Sequence, residues 1–222
     1  MGRASVYLYP VAQYFQIHAE NPQARLVKQA AAIVRAGGVM AYPTDSSYAL
    51  GCHIGDKAAL EHIQRIRRLD DRHNFTLVCR DLSELSLYAR LTNADYRVLK
   101  ANTPGPFTFI LPATREVPRR LLSRRKTIGL RIPDHRFVQA LLAELQEPVM
   151  SVTLIMPGEA LPLSDPQLIR ERLEHEIDLV VDGGYCGLEP TTVIVLEDGA
   201  LEIVRQGKGA LAQATQPAPA NV

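Results

Sequence analysis

The stretch YPTDSSYALG, Tyr42 to Gly51, follows directly on the apolar run Gly38-Val39-Met40-Ala41. A strand usually ends in a short turn built on Gly, Asn or Asp. Here the chain instead sets Thr44, Asp45, Ser46, Ser47 and Tyr48 in a row before returning to Ala49, Leu50 and Gly51. Two readings follow. In one, the segment is a wide turn whose Asp45 and serines satisfy nearby backbone groups. In the other, it is a polar cradle at the carboxyl end of a strand, where open α/β sheets bind ligands. Hydroxyls both donate and accept, which suits a zwitterionic or phosphorylated ligand.

Helical and strand patterns alternate on both sides of this segment. Upstream, NPQARLVKQAAAIVRAGG predicts a helix with Asn21 as cap and Pro22 at the first helical position. Leu26, Ala30, Ile33 and Val34 recur at helical spacing, and Gly37 supplies a left-handed stop before a strand at Val39 to Tyr42. Downstream, Asp56 precedes a helix over Lys57 to Arg67, and FTLVC (Phe75 to Cys79) reads as a strand. Asp81 and Asn93 are expected caps of two more helices, and further helices fall near Arg136–Leu145 and Asp165–Leu173. FTFIL, TIGLRI, PVMSVTLI, IDLVV, TTVIVL and LEIVR are six further short strands with β-branched content. The alternation predicts an α/β sheet, with some antiparallel pairing among the closely spaced last strands. No internal repeat or linker divides the core. Residues 1–13 are expected to be an N-terminal extension, 14–208 a single domain, and the small, polar, Pro-rich residues 209–222 a disordered tail.

With 222 residues and 46% apolar composition, the chain can bury a sizeable core. A formal net charge of +1 makes no general case for nucleic acid or membrane, so such a case must come from local clusters. Cys52, Cys79 and Cys186 are dispersed, which argues against a disulfide scaffold and a structural zinc site and points to the reducing cytoplasm. No apolar run approaches the roughly 18 residues of a membrane span. The first residues lack the apolar stretch of a signal peptide.

GxxxxGK[ST], HExxH and GxSxG motifs are all missing from the sequence. Chemistry by positioning and electrostatics is therefore expected rather than a covalent nucleophile. NTPGPFTFIL places Gly105 in a rigid turn, which reads either as a stiff strand entry or as an anion-facing loop. Arg115, Arg119, Arg120, Arg124, Arg125, Lys126, Arg131 and Arg136 form a cationic run opposed only by Glu116 and Asp134. It reads as solvated surface or as a phosphate or RNA contact. Arg131 differs, because an arginine inside an apolar strand pattern needs an anionic partner. MSVTL puts Ser151 and Thr153 on one strand face.

Taken in order, YPTDSSYALGC, the helix ending IRRL, TPGPFTFIL, GLRIPDH, DGG…TTVIVL and VRQG resemble the YrdC-like superfamily of threonylcarbamoyl-AMP synthases. The likeness spans roughly residues 14–208, and IRRLDDRHNFTLVCRDLSELS is most similar to the YciO branch. The resemblance implies an open, twisted, mostly parallel sheet with flanking helices and a large basic concave cavity. It implies a nucleotidyltransferase that joins bicarbonate to the amine of L-threonine and adenylates the product with ATP, releasing pyrophosphate, as a step of tRNA modification. ATP enters as a substrate with Mg2+, with no tightly bound cofactor and no metal held by protein side chains. Carried onto this chain, Thr44, Ser46, Tyr48 and Thr108 would line the threonine pocket. Arg67, Arg131, Ser151, Thr153 and Arg205 would meet the nucleotide and its phosphates. Double-stranded RNA binding, here through Arg119, Arg120, Arg124, Arg125 and Lys126, is the alternative role, and hydrolysis of a related adenylate is another. Two positions depart from the synthase pattern. Arg67 and Leu69 stand where synthases carry Lys-x-Arg, and Thr153 and Ile155 where they carry Ser-x-Asn. Leucine removes a cation, and isoleucine removes both a donor and an acceptor.

Overall fold

A computed structural model describes residues 11–70, 73, 75–197 and 199–212. The chain runs β1 (Gln13–Gln16), α1 (Ala24–Arg35), β2 (Met40–Tyr42), β3 (Ala49–His53), α2 (Lys57–Arg67) and β4 (Thr76–Val78). It continues through α3 (Leu82–Tyr88), α4 (Asn93–Asn102), β5 (Phe107–Pro112), β6 (Thr127–Arg131), α5 (Arg136–Leu145) and β7 (Val149–Thr153). It closes with α6 (Pro166–Leu173), β8 (Leu179–Asp182), β9 (Thr192–Glu197) and β10 (Ala200–Arg205). No helix among the described residues is long and apolar enough to cross a membrane.

The helix boundaries follow local chemistry. The Asp56, Asp81 and Asp165 side chains accept from Ala59, Glu84 and Gln167 amides and so cap α2, α3 and α6. Two expected caps are corrected. Asn21 lies outside α1, where Gln23 is the cap residue, and its amide donates to His18. Thr92, not Asn93, caps α4, because Thr92 and Asp95 form a reciprocal capping box. Gly37, at φ +88°, ends α1 as expected.

All strands join one sheet in the order β1-β8-β2-β3-β7-β4-β6-β5-β9-β10. Four neighbouring pairs are parallel and five antiparallel, so the mostly parallel sheet expected above is corrected to a mixed one. Two of the five antiparallel pairs involve β3, a strand that the sequence patterns do not mark. It folds back beside β2 and leads into an antiparallel block with β7 and β4. β1 was likewise unanticipated. Gln13 pairs with Leu179 of β8, and the buried Ala12 donates to Glu174, so the described part of the expected extension belongs to the fold. At the other end, Gly209 is buried against Phe107, and the Ala212 amide reaches Asn102; residues 213–222 lie outside the described residues.

The two faces are covered unequally. One carries the larger apolar core, including Leu50, Leu77, Phe109, Leu130, Val152 and Ile194. On the other, α1 and α5 pack over Met40, Tyr42, Ala49, Val78 and Val149. That layer takes no described residue from β5, β6, β9 or β10. Beyond it, Thr76, Thr108, Ile110, Thr153, Val193 and Val195 are only half-buried. The register puts Thr76 beside Gly129, Gly129 beside Ile110, and Ile110 beside Val195, so this is a continuous open sheet face.

A close approach on the covered half controls Tyr42. Its hydroxyl lies 2.6 Å from the Ser151 hydroxyl, across the backbone of Gly51. A Cβ at Gly51 would sit 2.8 Å from the Tyr42 ring and 2.8 Å from Val149. Gly51→Ala is expected to cost about 1–3 kcal/mol through overpacking. Urea denaturation measures this, and an unchanged midpoint would contradict the packing described.

Candidate functional site

β2 delivers its chain to the segment Pro43–Ser47, which reaches over the sheet to β6. β3, β7 and β4 lie between β2 and β6, a span of roughly 19 Å at the usual strand spacing. Arg131, the last residue of β6, meets the segment there. Its Nη2 donates to Asp45 Oδ1, to Ser46 Oγ at 3.0 Å and to Thr44 Oγ1 at 3.2 Å. The Asp45 and Arg131 side chains are each 10% exposed. The anionic partner that a strand arginine requires is therefore Asp45, from the same polar row.

The row is locally self-consistent. Thr44 Oγ1 accepts from the Ser46 and Ser47 amides, each at 3.2 Å, and donates to the Ser47 carbonyl at 2.6 Å. Asp45 Oδ2 accepts from the Asp134 amide at 3.0 Å, and the Asp45 carbonyl accepts from Lys208 Nζ at 2.6 Å. Both initial readings of the row hold some truth, since its side chains satisfy backbone and also surround a guanidinium. The Arg131 Nε is enclosed and has no acceptor among the described residues, and His135 Nδ1 nearby is in the same condition. Enclosed donors without partners are uncommon and costly. Burial, reinforced by the Arg131 charge, holds His135 below the ordinary histidine pKa.

The glycine-rich segment after β8 closes over the row. Tyr48 is fully buried; its hydroxyl donates to the Gly184 carbonyl at 2.8 Å and accepts from the Gly183 amide at 3.3 Å. Tyr48 thus braces the wall from behind. Gly187 lies so near the Ser46 carbonyl that a Cβ would sit 2.7 Å from it. The Cys186 thiol, pushed up to about 11 by burial, points at the Thr44 carbonyl at 3.7 Å.

Of the other expected site residues, Thr108, Ser151 and Thr153 lie on the sheet face that α1 and α5 partly cover, whereas Arg67 ends α2, which packs on the opposite face. Thr108 lies one position beyond the Phe109–Leu130 pair of the β5–β6 ladder, directly across from Arg131. Its hydroxyl is 2.9 Å from that of Thr191, which also takes Arg205 Nη2 at 3.3 Å, while both Arg205 Nε and Nη2 reach the Thr191 carbonyl. Thr108, Thr191 and Arg205 therefore form a second polar cluster at the amino ends of β5 and β9. Ser151 and Thr153 share a face of β7, and Ser151 is held by Tyr42. Arg67 ends α2, where burial lowers its pKa; burial, followed by the Arg67 charge, lowers that of His73. The Arg67 Nε has no acceptor among the described residues. Leu69 packs against the apolar core instead of facing the site.

The cationic run up to Lys126 lies elsewhere. Arg115, Arg119, Arg120, Arg124, Arg125 and Lys126 are exposed and precede Thr127, the first residue of β6. Arg131 stands at the last, so the structure places the run and the arginine–hydroxyl cluster at opposite ends of β6 rather than in one basic cavity. Arg120 donates to the Ile54 carbonyl at 3.0 Å. Among residues the sequence did not single out as a site, Asp45, Lys208, Thr191 and Tyr42 take part. Their partners lie between 14 and 163 positions away, beyond any local pattern.

Arg131→Leu leaves Asp45 buried without a cation and is expected to destabilise the fold by about 3–5 kcal/mol. Urea denaturation tests this, and a loss below about 1 kcal/mol, typical of an exposed pair, would contradict it.

Comparison with known proteins agrees with this architecture. The Sua5_yciO_yrdC family model, described as "Telomere recombination", matches residues 32–207. YciO of Escherichia coli K12 is 56% identical over 200 residues, covering 90% of this chain and 97% of that protein. The crystal structure of E. coli YciO superposes with a TM-score of 0.86. A threonylcarbamoyl-AMP synthase of Nitrosococcus oceani is 32% identical over 158 residues, 71% of this chain and 85% of that protein. P. abyssi Sua5, solved in complex with L-threonine, shares the fold with a TM-score of 0.81 at 23% identity, over 88% of this chain and 58% of its own. With an open sheet face, an arginine seated among hydroxyls and these relatives, the chain belongs to the Sua5/YciO/YrdC family.

Proposed function

We propose that this protein is an L-threonylcarbamoyladenylate synthase acting in tRNA modification, with L-threonine, bicarbonate and ATP as substrates. The observation that carries the reading is Arg131, buried beside the Thr44 and Ser46 hydroxyls with an enclosed donor still unpartnered. A guanidinium so placed binds a carboxylate, and adjacent hydroxyls serve an ammonium or alcohol group. A relative that carries the synthase name and a fold relative solved with L-threonine support the same reading.

In this scheme Thr44 and Ser46 orient threonine, Arg131 holds its carboxylate, and Thr108 borders the pocket. The amine adds to bicarbonate with loss of water, and the resulting carbamate oxygen attacks the α-phosphorus of ATP as pyrophosphate leaves. Thr153 and Arg205 on the open face, Ser151 at its covered margin and Arg67 at the end of α2 take the nucleotide and its phosphates, with magnesium arriving as the ATP complex. Catalysis here is alignment plus charge stabilisation. The apolar Leu69 and Ile155 withdraw two polar contacts from the nucleotide. At about 1.5–3 kcal/mol per charge-assisted contact, this slows turnover by factors of hundreds relative to synthases that keep both.

The test supplies radiolabelled threonine, bicarbonate and magnesium–ATP. Labelled adenylate is expected from the native chain and absent with Arg131→Ala. Equal yields from both, or none from the native chain, would overturn the reading.

A second reading concerns the far end of β6. Among the described residues, Arg115, Arg119, Arg124, Arg125 and Lys126 are exposed without forming ion pairs to carboxylates, which suits a double-stranded RNA or tRNA backbone. Affinity for duplex RNA should fall with salt, and replacing Arg124 and Arg125 by Ala should reduce the log–log slope by about two. A slope unaffected by the replacement would contradict it.

A further inference from the structure

Asp45 stands in an unusual position for a group beside a carboxylate site, since it is itself a carboxylate. Its two oxygens are both committed: Oδ1 receives Arg131 Nη2, and Oδ2 receives the Asp134 amide at 3.0 Å. Its carbonyl receives Lys208 Nζ at 2.6 Å. Displacing Asp45 would break contacts to β6, to the chain that follows it and to the segment after β10 at once. This makes it a fixture, unlike a stand-in that a ligand pushes aside.

The way Arg131 is held has a consequence. Asp45, Thr44 and Ser46 all converge on Nη2, while Nε remains enclosed without an acceptor. One nitrogen is anchored, and a donor of the same planar fork stays uncommitted. An arginine side chain 10% exposed also needs a neighbouring anion to remain seated as a cation before any ligand arrives. Asp45 thus touches two cations, Arg131 through its carboxylate and Lys208 through its carbonyl.

We propose that Asp45 is a positioning residue that holds Arg131 and Lys208 as a two-cation seat for the ligand's carboxylate, a role that rests on the threonine-binding reading above. Asp45 touches no reacting atom in this account. It sets where the guanidinium points and, through its carbonyl, where the Lys208 ammonium rests.

Calorimetric titration of the full chain with L-threonine and with L-threoninol, which has an alcohol in place of the carboxylate, tests the proposal. The native protein should prefer threonine. Asp45→Asn keeps the size of the side chain and removes its charge, and it should weaken threonine by about tenfold or more while leaving threoninol within about twofold. Lys208 is exposed, so Lys208→Gln preserves the fold and should reduce the preference for threonine in the same direction. If Asp45→Asn does not fold, the Lys208→Gln result decides. Variants that keep the native preference, or an Asp45→Asn protein that binds threonine more tightly, would overturn the proposal and leave the parent reading intact. A native chain that binds no threonine overturns the parent reading, and the proposal with it.

Discussion

One buried ion pair organises this molecule's polar end. Arg131 ends β6 and Asp45 lies in the segment that follows β2, with three strands between β2 and β6, so the chain must carry Asp45 across that width to reach its partner. Neither charge tolerates burial alone, so each specifies where the other must be. The pair also draws in neighbours. Asp134 donates to the Asp45 carboxylate, Lys208 to its carbonyl, and Thr44 and Ser46 share the guanidinium. Segments near residues 45, 131 and 208 are thereby tied to one another by polar contacts. The energetic return of such a pair is small or negative against an apolar substitute. Its value lies in specifying one arrangement of hydroxyls and cations.

The fold gives that arrangement a place to work. α1 and α5 cover one half of a sheet face and stop, leaving Thr76, Thr108, Ile110, Thr153, Val193 and Val195 half-buried on the other half. Arg131 lies beside Val78, at the margin between the halves, and Thr108 and Arg205 lie further along the open part. A small amino acid at the margin and a polyphosphate along the open face would therefore lie side by side. The family scaffold is thus kept, with an apolar residue packed into the core at position 69.

Much of this was legible from residue order. Helices with an Asp at the cap, strands rich in β-branched residues and the glycine stop at Gly37 follow from local chemistry, and the structure places them close to where the patterns put them. β1 and β3 were not legible. Gln13–Gln16 is too short and polar to announce a strand, and Ala49–His53 carries Gly51 and Cys52 where branched residues would mark one. The mostly parallel sheet came from the family resemblance, and the residues themselves pointed only to some antiparallel pairing. Within the site, the row Thr44–Tyr48 was visible as an anomaly, and Arg131 as a charge out of pattern. That each is the answer to the other was not visible, because the contact joins residues 86 positions apart. Arg131 shares no local pattern with the basic run that precedes it, which faces solvent at the other end of the same strand.

The proposed function makes a spatial demand: L-threonine and ATP would lie together on the open face, with the amino acid's carboxylate against Arg131. A crystal structure of the protein with L-threonine and a non-hydrolysable ATP analogue measures this directly. The account predicts the carboxylate within hydrogen-bond distance of the Arg131 guanidinium, the Thr44 and Ser46 hydroxyls beside the amino acid, and the phosphates over Ser151 and Thr153. Ligand density elsewhere, or a threonine-sized space kept shut by Asp45 and the hydroxyl row, would contradict it.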